Sequence, residues 1–387
     1  MIRRLLFVDE GKTYRLLNRE IFLLIALTFL AVGIFLFTKR MATKEQQLNA
    51  RIAAIWYTEG QRQLSSGQVE QAIESFRKAT TDVLGNRTYS LALANALAAG
   101  NHDAEAEQTL LRLRESDPED AEINLQLARL AAKSGEVHDS VHYYQNALYG
   151  RWTGSEVDER KRWARLELIR FLLGHHERNI ALSELLILDS DVPPSDAAHV
   201  EVARLFLAAG DPQHALKNYA EAVELDKNNV DALTEAGETA FRAGDYKQTQ
   251  QYLAAAIELK PETEKTRQLL TVADMVLSDD PLEAHLTKQE RQERLLRGFE
   301  QARQRLEGCL SRAQGGAENA ELTAAKDQVA ALGPKLRSKP TPDPELTRSG
   351  VELIYKIERA TVAHCGEGEE LDQALLLIGQ KHSGAQP

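Results

Sequence analysis

Matching small residues recur along this chain every 34 residues, and a chain with that period has few folds open to it. Gly60, Ala94 and Ala128 stand 34 residues apart, as do Ala72, Ala106 and Ser140. The pattern resumes with Ala203 and Gly237, and with Ala215 and Thr249, in segments opening at Asp196 and Val230. A period of this length is one helix–turn–helix unit. Such a unit cannot bury its apolar face alone, so neighbours stack into a solenoid with one continuous core. Small residues are needed where the two helices of a unit cross, because a larger side chain would hold the backbones apart. Gly67 closes a first helix through a left-handed residue, and Pro118 and Pro261 stop second helices.

The segment Ala53 to Leu84 carries Trp56, Gly60, Gly67, Ala72, Phe76 and Ala79. The segment from Val230 carries Leu233, Gly237, Gly244-Asp245-Tyr246, Ala256 and Pro261. In both, the residue types and offsets resemble the tetratricopeptide repeat, which implies an all-α, right-handed solenoid that holds a protein or peptide against its first helices. About six repeats fit between Ala53 and Pro261. The fourth, roughly Arg162 to Pro194 with Trp163, Gly174, Ala181 and Pro193, is looser. It follows Gly150-Arg151-Trp152-Thr153-Gly154-Ser155, which is either an inter-repeat loop or a mount for an exposed Trp152, and which divides the repeats into two blocks of three.

Residues 21–37, Ile21 to Phe37, carry no charge, and a run of this length reaches the lower limit for a spanning helix. Its apolar core runs into Thr38-Lys39-Arg40-Met41 instead of a small-residue cleavage site, so it reads as a retained signal anchor and not a removable signal peptide. Arg3, Arg4, Lys12, Arg15 and Arg19 precede it, while Lys39, Arg40 and Lys44 follow closely. That bias puts the N-terminal segment, residues 1–20, in the cytoplasm and the repeats outside a bacterial-type inner membrane, after a juxtamembrane linker at 38–52. The formal net charge of −11 argues against nucleic acid as a partner, since phosphate binding wants a basic surface.

Beyond Pro261 the period is lost while helical patterning continues. Thr263 to Leu277 reads as a helix covering the open end of the last repeat. Thr287-Lys288-Gln289-Glu290 matches a capping box opening a long charged helix through about Ala313. Gly315-Gly316 breaks the chain, Leu322 to Leu332 suggests a short helix, and 338–344 is a proline-rich linker. Helices near Glu345 to His364 and Glu369 to Lys381 complete a C-terminal helical subdomain over 315–387, after capping and charged helices over 262–314.

No GxGxxG, GxxxxGK[ST], GxSxG or HExxH occurs, so no enzyme, cofactor or metal chemistry is expected. His138 and His142 share a helix face without further ligands, and adjacent His175 and His176 diverge in a turn. The resemblance places the binding groove along the first helices. The residue after each small position, Gln61, Asn95, Arg129, Arg170, Arg204 and Glu238, points into it. The arginines resemble the basic groove with which some family members clamp a peptide carboxylate, although Ala54, Tyr57 and Gln61 replace the lysine and asparagine of that clamp. The same arginines could instead pair with Glu122, Glu167 or Glu201. The two cysteines, Cys309 and Cys365, are either bridged or both small buried thiols. The function expected is a membrane-anchored scaffold or chaperone-like adaptor; the alternatives are self-association through the C-terminal helices, or an enzyme whose site there goes unrecognised.

Overall fold

A computed structural model describes residues 10–261, 264–312, 320–338 and 343–383, with side chains from Ile21 onward. The described residues form α-helices and no strand. They fall into two compact units, Met1–Leu168 and Ile169–Pro387.

The first unit begins with one 56-residue helix, α1 (Glu10–Ser65). Residues 38–52, expected as a linker, continue this helix. They hold lysine, glutamate, glutamine, leucine and alanine with neither glycine nor proline, so nothing interrupts it. The end of α1 pairs with α2 (Val69–Asp82); α3 (Arg87–Ala99) pairs with α4 (Asp103–Ser116), and α5 (Ala121–Ser134) with α6 (Val137–Tyr149). Arg87 and Ala121, 34 residues apart, are both helix starts. Asn86 and Asp120 cap them, accepting hydrogen bonds from Tyr89 N and from Glu122 N and Ile123 N. Such a cap is worth about 1 kcal/mol.

Packing explains the small-residue period. A Cβ on Gly60 would stand 2.7 Å from Cε1 of Phe76, which is buried in the facing helix of the same repeat. Ala94 and Ala128 occupy the same offset in the next two repeats and are fully buried. At the fourth repeat α7 (Val157–Gly174) opens at Val157, ahead of Arg162, because the helix resumes as soon as the 150–156 loop ends. That loop is pinned: Arg151 N donates to Glu119 O at 2.7 Å and Ala121 N to Arg151 O at 3.2 Å. Trp152 Nε1 donates to Ala147 O at 2.9 Å, with Arg160 stacked on its half-buried ring. The tryptophan is therefore a loop anchor.

The second unit takes the end of α7, then α8 (Arg178–Asp189), α9 (Asp196–Ala209), α10 (Pro212–Leu225), α11 (Val230–Arg242) and α12 (Tyr246–Leu259). Here the contact at the crossing is tighter, since a Cβ on Gly237 would lie 2.2 Å from Leu253 Cδ2. Gly210 takes the left-handed C-cap of α9 at φ 90°.

After the last repeat come α13 (Glu264–Asp279), α14 (Lys288–Arg312), α15 (Ala320–Ser338), α16 (Pro344–Cys365) and α17 (Glu370–Ser383). Helix α13 packs on α11 and α12 and also meets α17. The capping box forms: Thr287 N donates to Glu290 Oε2 at 2.8 Å, and Glu290 N to Thr287 Oγ1 at 3.2 Å. Helix α15 is longer than the short helix expected, running through Gly333 and Pro334, because Leu336 beyond them is buried in the core. Ser338 belongs to α15, and Asp343 and Pro344 open α16; Pro340, Pro342 and Gly315-Gly316 lie outside the described residues. Leu295, Phe299, Leu306, Ile354, Ile357 and Leu375 share one core with Val272 and Val276. Cys309 and Cys365 join α14 to α16 as a disulfide with Cα atoms 5.9 Å apart.

Candidate partner-binding surface

The first helices of the repeats carry the expected row. Gln61, Asn95 and Arg129 lie on α1, α3 and α5 of the first unit, and Arg170, Arg204 and Glu238 on α7, α9 and α11 in the second. The arginines are already engaged. Arg129 Nε and Nη2 donate to Glu167 Oε2 and Oε1 at 2.9 and 2.7 Å. Arg204 binds Glu235 in the same fork at 2.8 and 2.5 Å, and Arg170 meets Glu201. Glu238 accepts from Lys265 at 2.8 Å. Each bond reaches from one first helix to the next.

Two of these carboxylates take a second donor from the facing helix, because Tyr144 and Tyr219 donate to Glu167 and Glu235 at 3.3 and 2.8 Å. Burial pushes both phenols up, and the neighbouring carboxylates add to the shift. Burial also raises Glu235, but the Arg204 and Tyr219 hydrogen bonds outweigh it and hold the carboxyl below its usual range. Of the two readings of the arginines, internal pairing is the geometry found, with Glu167 and Glu201 among the partners. Glu235 was missed although a signal was present: Glu167, Glu201 and Glu235 are themselves spaced by 34 residues.

The first two repeats differ. Gln61 Nε2 donates to Tyr57 OH at 2.9 Å, and the Tyr57 ring sits 5.1 Å from that of Tyr89. Thr58 and Ala92 stand where later repeats place glutamate. Asn95 Oδ1 is buried without a hydrogen-bond partner.

Sequence reading also missed a carboxylate cluster in the C-terminal helices. Glu358 is fully buried, 2.6 Å from Arg305, which lies 3.6 Å from Asp372. Burial pushes the Glu358 carboxyl up to about 7, with Asp372 adding and Arg305 opposing. Closed off from solvent, this cluster offers no approach to a substrate. Among the described residues no group of three or more histidine, cysteine or acidic side chains is placed to hold a metal ion. His142 is engaged by Asn146, and the His175 ring packs tilted against Phe171.

A sequence model of the tetratricopeptide repeat matches residues 63–130 and 206–272. Over those residues the chain carries tetratricopeptide repeats. A search of curated protein sequences finds no match to it. Among solved structures, YrrB, a tetratricopeptide-repeat protein with an unusual peptide-binding site, aligns at 18% identity over 50% of this chain and 97% of its own, with a TM-score of 0.39. PilW, a type IV pilus biogenesis factor, aligns at 18% identity over 57% and 98%, also at 0.39. The tetratricopeptide domain of P58(IPK) aligns at 14% over 85% and 99%, at 0.28. Scores this low carry nothing to this chain beyond what its own helix pairs and the family match establish. The tetratricopeptide repeats make the protein an interaction scaffold for other proteins.

Proposed function

We propose that this tetratricopeptide-repeat protein is a single-pass, membrane-anchored scaffold whose repeats lie outside the cytoplasm and hold a partner protein or peptide along their first helices. The observation that carries the reading is α1. Its apolar part has a mean hydropathy of 2.8 and is exposed along its length, and the same helix becomes the first helix of repeat one. An exposed apolar face of this size has no place in water. Within the row Gln61, Asn95, Arg129, Arg170, Arg204 and Glu238, the partner engages the uncharged end first. Gln61 and Asn95 there are uncharged, while each arginine must loosen a glutamate to take a new anion. The role that suits such an architecture is that of an assembly scaffold or a chaperone-like adaptor for translocated clients.

Topology is tested by protease added to intact spheroplasts, which digests the repeats if they face outward. Protection until lysis overturns the orientation. Affinity capture from membranes with wild-type and Asn95→Leu protein tests the surface: recovery of the captured partner falls about tenfold in the variant, the equivalent of one lost buried hydrogen bond. Full recovery moves the binding surface away from this row.

A further inference from the structure

The C-terminal helices keep their apolar residues to themselves, since among the described residues no large apolar side chain beyond Leu259 is exposed. An uncovered stripe lies instead on α1, past its apolar segment. Met41, Leu48, Ile52 and Ile55 follow one another at steps of seven, four and three, and are 55%, 57%, 37% and 67% exposed. Those steps keep them on one face of the helix. The face that packs on α2 is a different one, carrying fully buried Ala53 and Gly60, the latter tight against Phe76. A solenoid needs a polar outer surface on its terminal unit, and Ile52 and Ile55 deny it one.

We propose that this stripe is a dimerisation seam, closed by α1 of a second copy of the chain in parallel and in register. The inference rests on the anchored reading above. Two copies held by the same apolar segment present identical stripes side by side, at the same height and in the same direction. In heptad terms Met41, Leu48 and Ile55 take d, and Glu45 and Ile52 take a; Leu48 at d with Ile52 at a is the one pair here of the combination that favours two strands. Lys44 falls at g, the position flanking a of the opposite helix, so each copy sets a lysine beside the other's Glu45. That pairing offsets the one charged residue in the seam and is lost when either helix slips or reverses.

The test uses full-length protein in its own membrane. Both native cysteines are bridged, so a single introduced thiol is the only reactive one. Oxidation of Leu48→Cys and Ile55→Cys yields cross-linked dimer about tenfold more readily than Gln47→Cys and Ala50→Cys, which the heptad turns away from the seam. Lys44→Glu lowers cross-linking at position 48, and Lys44→Glu with Glu45→Lys restores it. Equal cross-linking at all four positions, cross-linking at none, or failure of the charge swap to restore it overturns the seam. Carbonate extraction separates the two readings. Protein that stays in the pellet without cross-linking removes the dimer and leaves the anchor, whereas release into the supernatant removes the anchor and the parallel seam with it.

Discussion

Within each unit, first helices of neighbouring repeats are joined by charge pairs half open to water, whereas the helices after Pro261 are tied by a disulfide and by charges closed away from it. The ladder bonds from Arg129, Arg170 and Arg204 span sequence separations of 38, 31 and 31 residues, each joining one repeat to the next. In the C-terminal helices Gln292 reaches Leu336 across 44 residues, Arg305 reaches Glu358 across 53, and His382 reaches Asp280 across 102. Nearest-neighbour ties add up along a solenoid and no single one matters greatly. The long-range ties instead join helices far apart in sequence, and Arg305 alone links α14 to both α16 and α17.

If the comparison is right, the largest effect comes from the disulfide. Replacing Cys309 and Cys365 with alanine removes a cross-link across 56 residues, which the chain-entropy account values at about 4 kcal/mol. Chemical denaturation followed by limited proteolysis then shows the C-terminal helices digested first, with the repeats unchanged. Equal loss in both regions would break the distinction.

Next is Glu358. Its carboxyl sits at about 7 in the folded protein against an ordinary 4.5, so the folded state holds the proton more tightly than the unfolded chain. Stability from this group is therefore complete below pH 4.5 and lost as pH rises through 7, a change of about 3 kcal/mol at 1.36 kcal/mol per unit. Asp280 runs the other way. Burial raises its carboxyl, but hydrogen bonds led by His382 hold it below 3.8, and its contribution is lost only as pH falls through that lower range. Thermal melts of the C-terminal helices between pH 4.5 and 8 fall in wild type and flatten in Glu358→Gln.

The third effect is local to one repeat. Gly237→Val forces side-chain atoms into Leu253 and costs about 2 kcal/mol, partly recovered by Leu253→Ala. Smallest is Arg204→Ala, whose side chain is 55% exposed; it costs less than about 1 kcal/mol, and a double-mutant cycle with Glu235→Ala returns a coupling of the same size. A larger coupling would mean that the ladder is a stabilising device and not a spacer between first helices.

The two regions were also unequally legible. Ala121, Asp196 and Val230 open helices because a packing requirement that recurs every repeat writes itself into the sequence as a period. Glu167 and Glu201 could be named beforehand as partners for the arginines, yet not chosen over a ligand, because a surface guanidinium suits either. Arg305 and Glu358 carried no such signal: their meeting depends on how α14 and α16 cross, and nothing in the spacing of two residues on non-repeating helices reports that. The continuity of α1 was hidden for a simpler reason. A polar stretch between two apolar ones looks like a tether until its composition is weighed for helix.

That continuity has a mechanical consequence on the anchored reading. Residues 38–52 as helix make a strut about 22 Å long at 1.5 Å per residue, with no joint at either end. A slack tether would let repeat one wander through a hemisphere above the bilayer. A strut confines it to a shell at one altitude, so a client emerging at that altitude meets the first repeats at a high effective concentration, while one emerging at another altitude is out of reach. Rotation of the buried segment about its own axis turns repeat one through the same angle, so torque in the lipid phase becomes aim in the aqueous one.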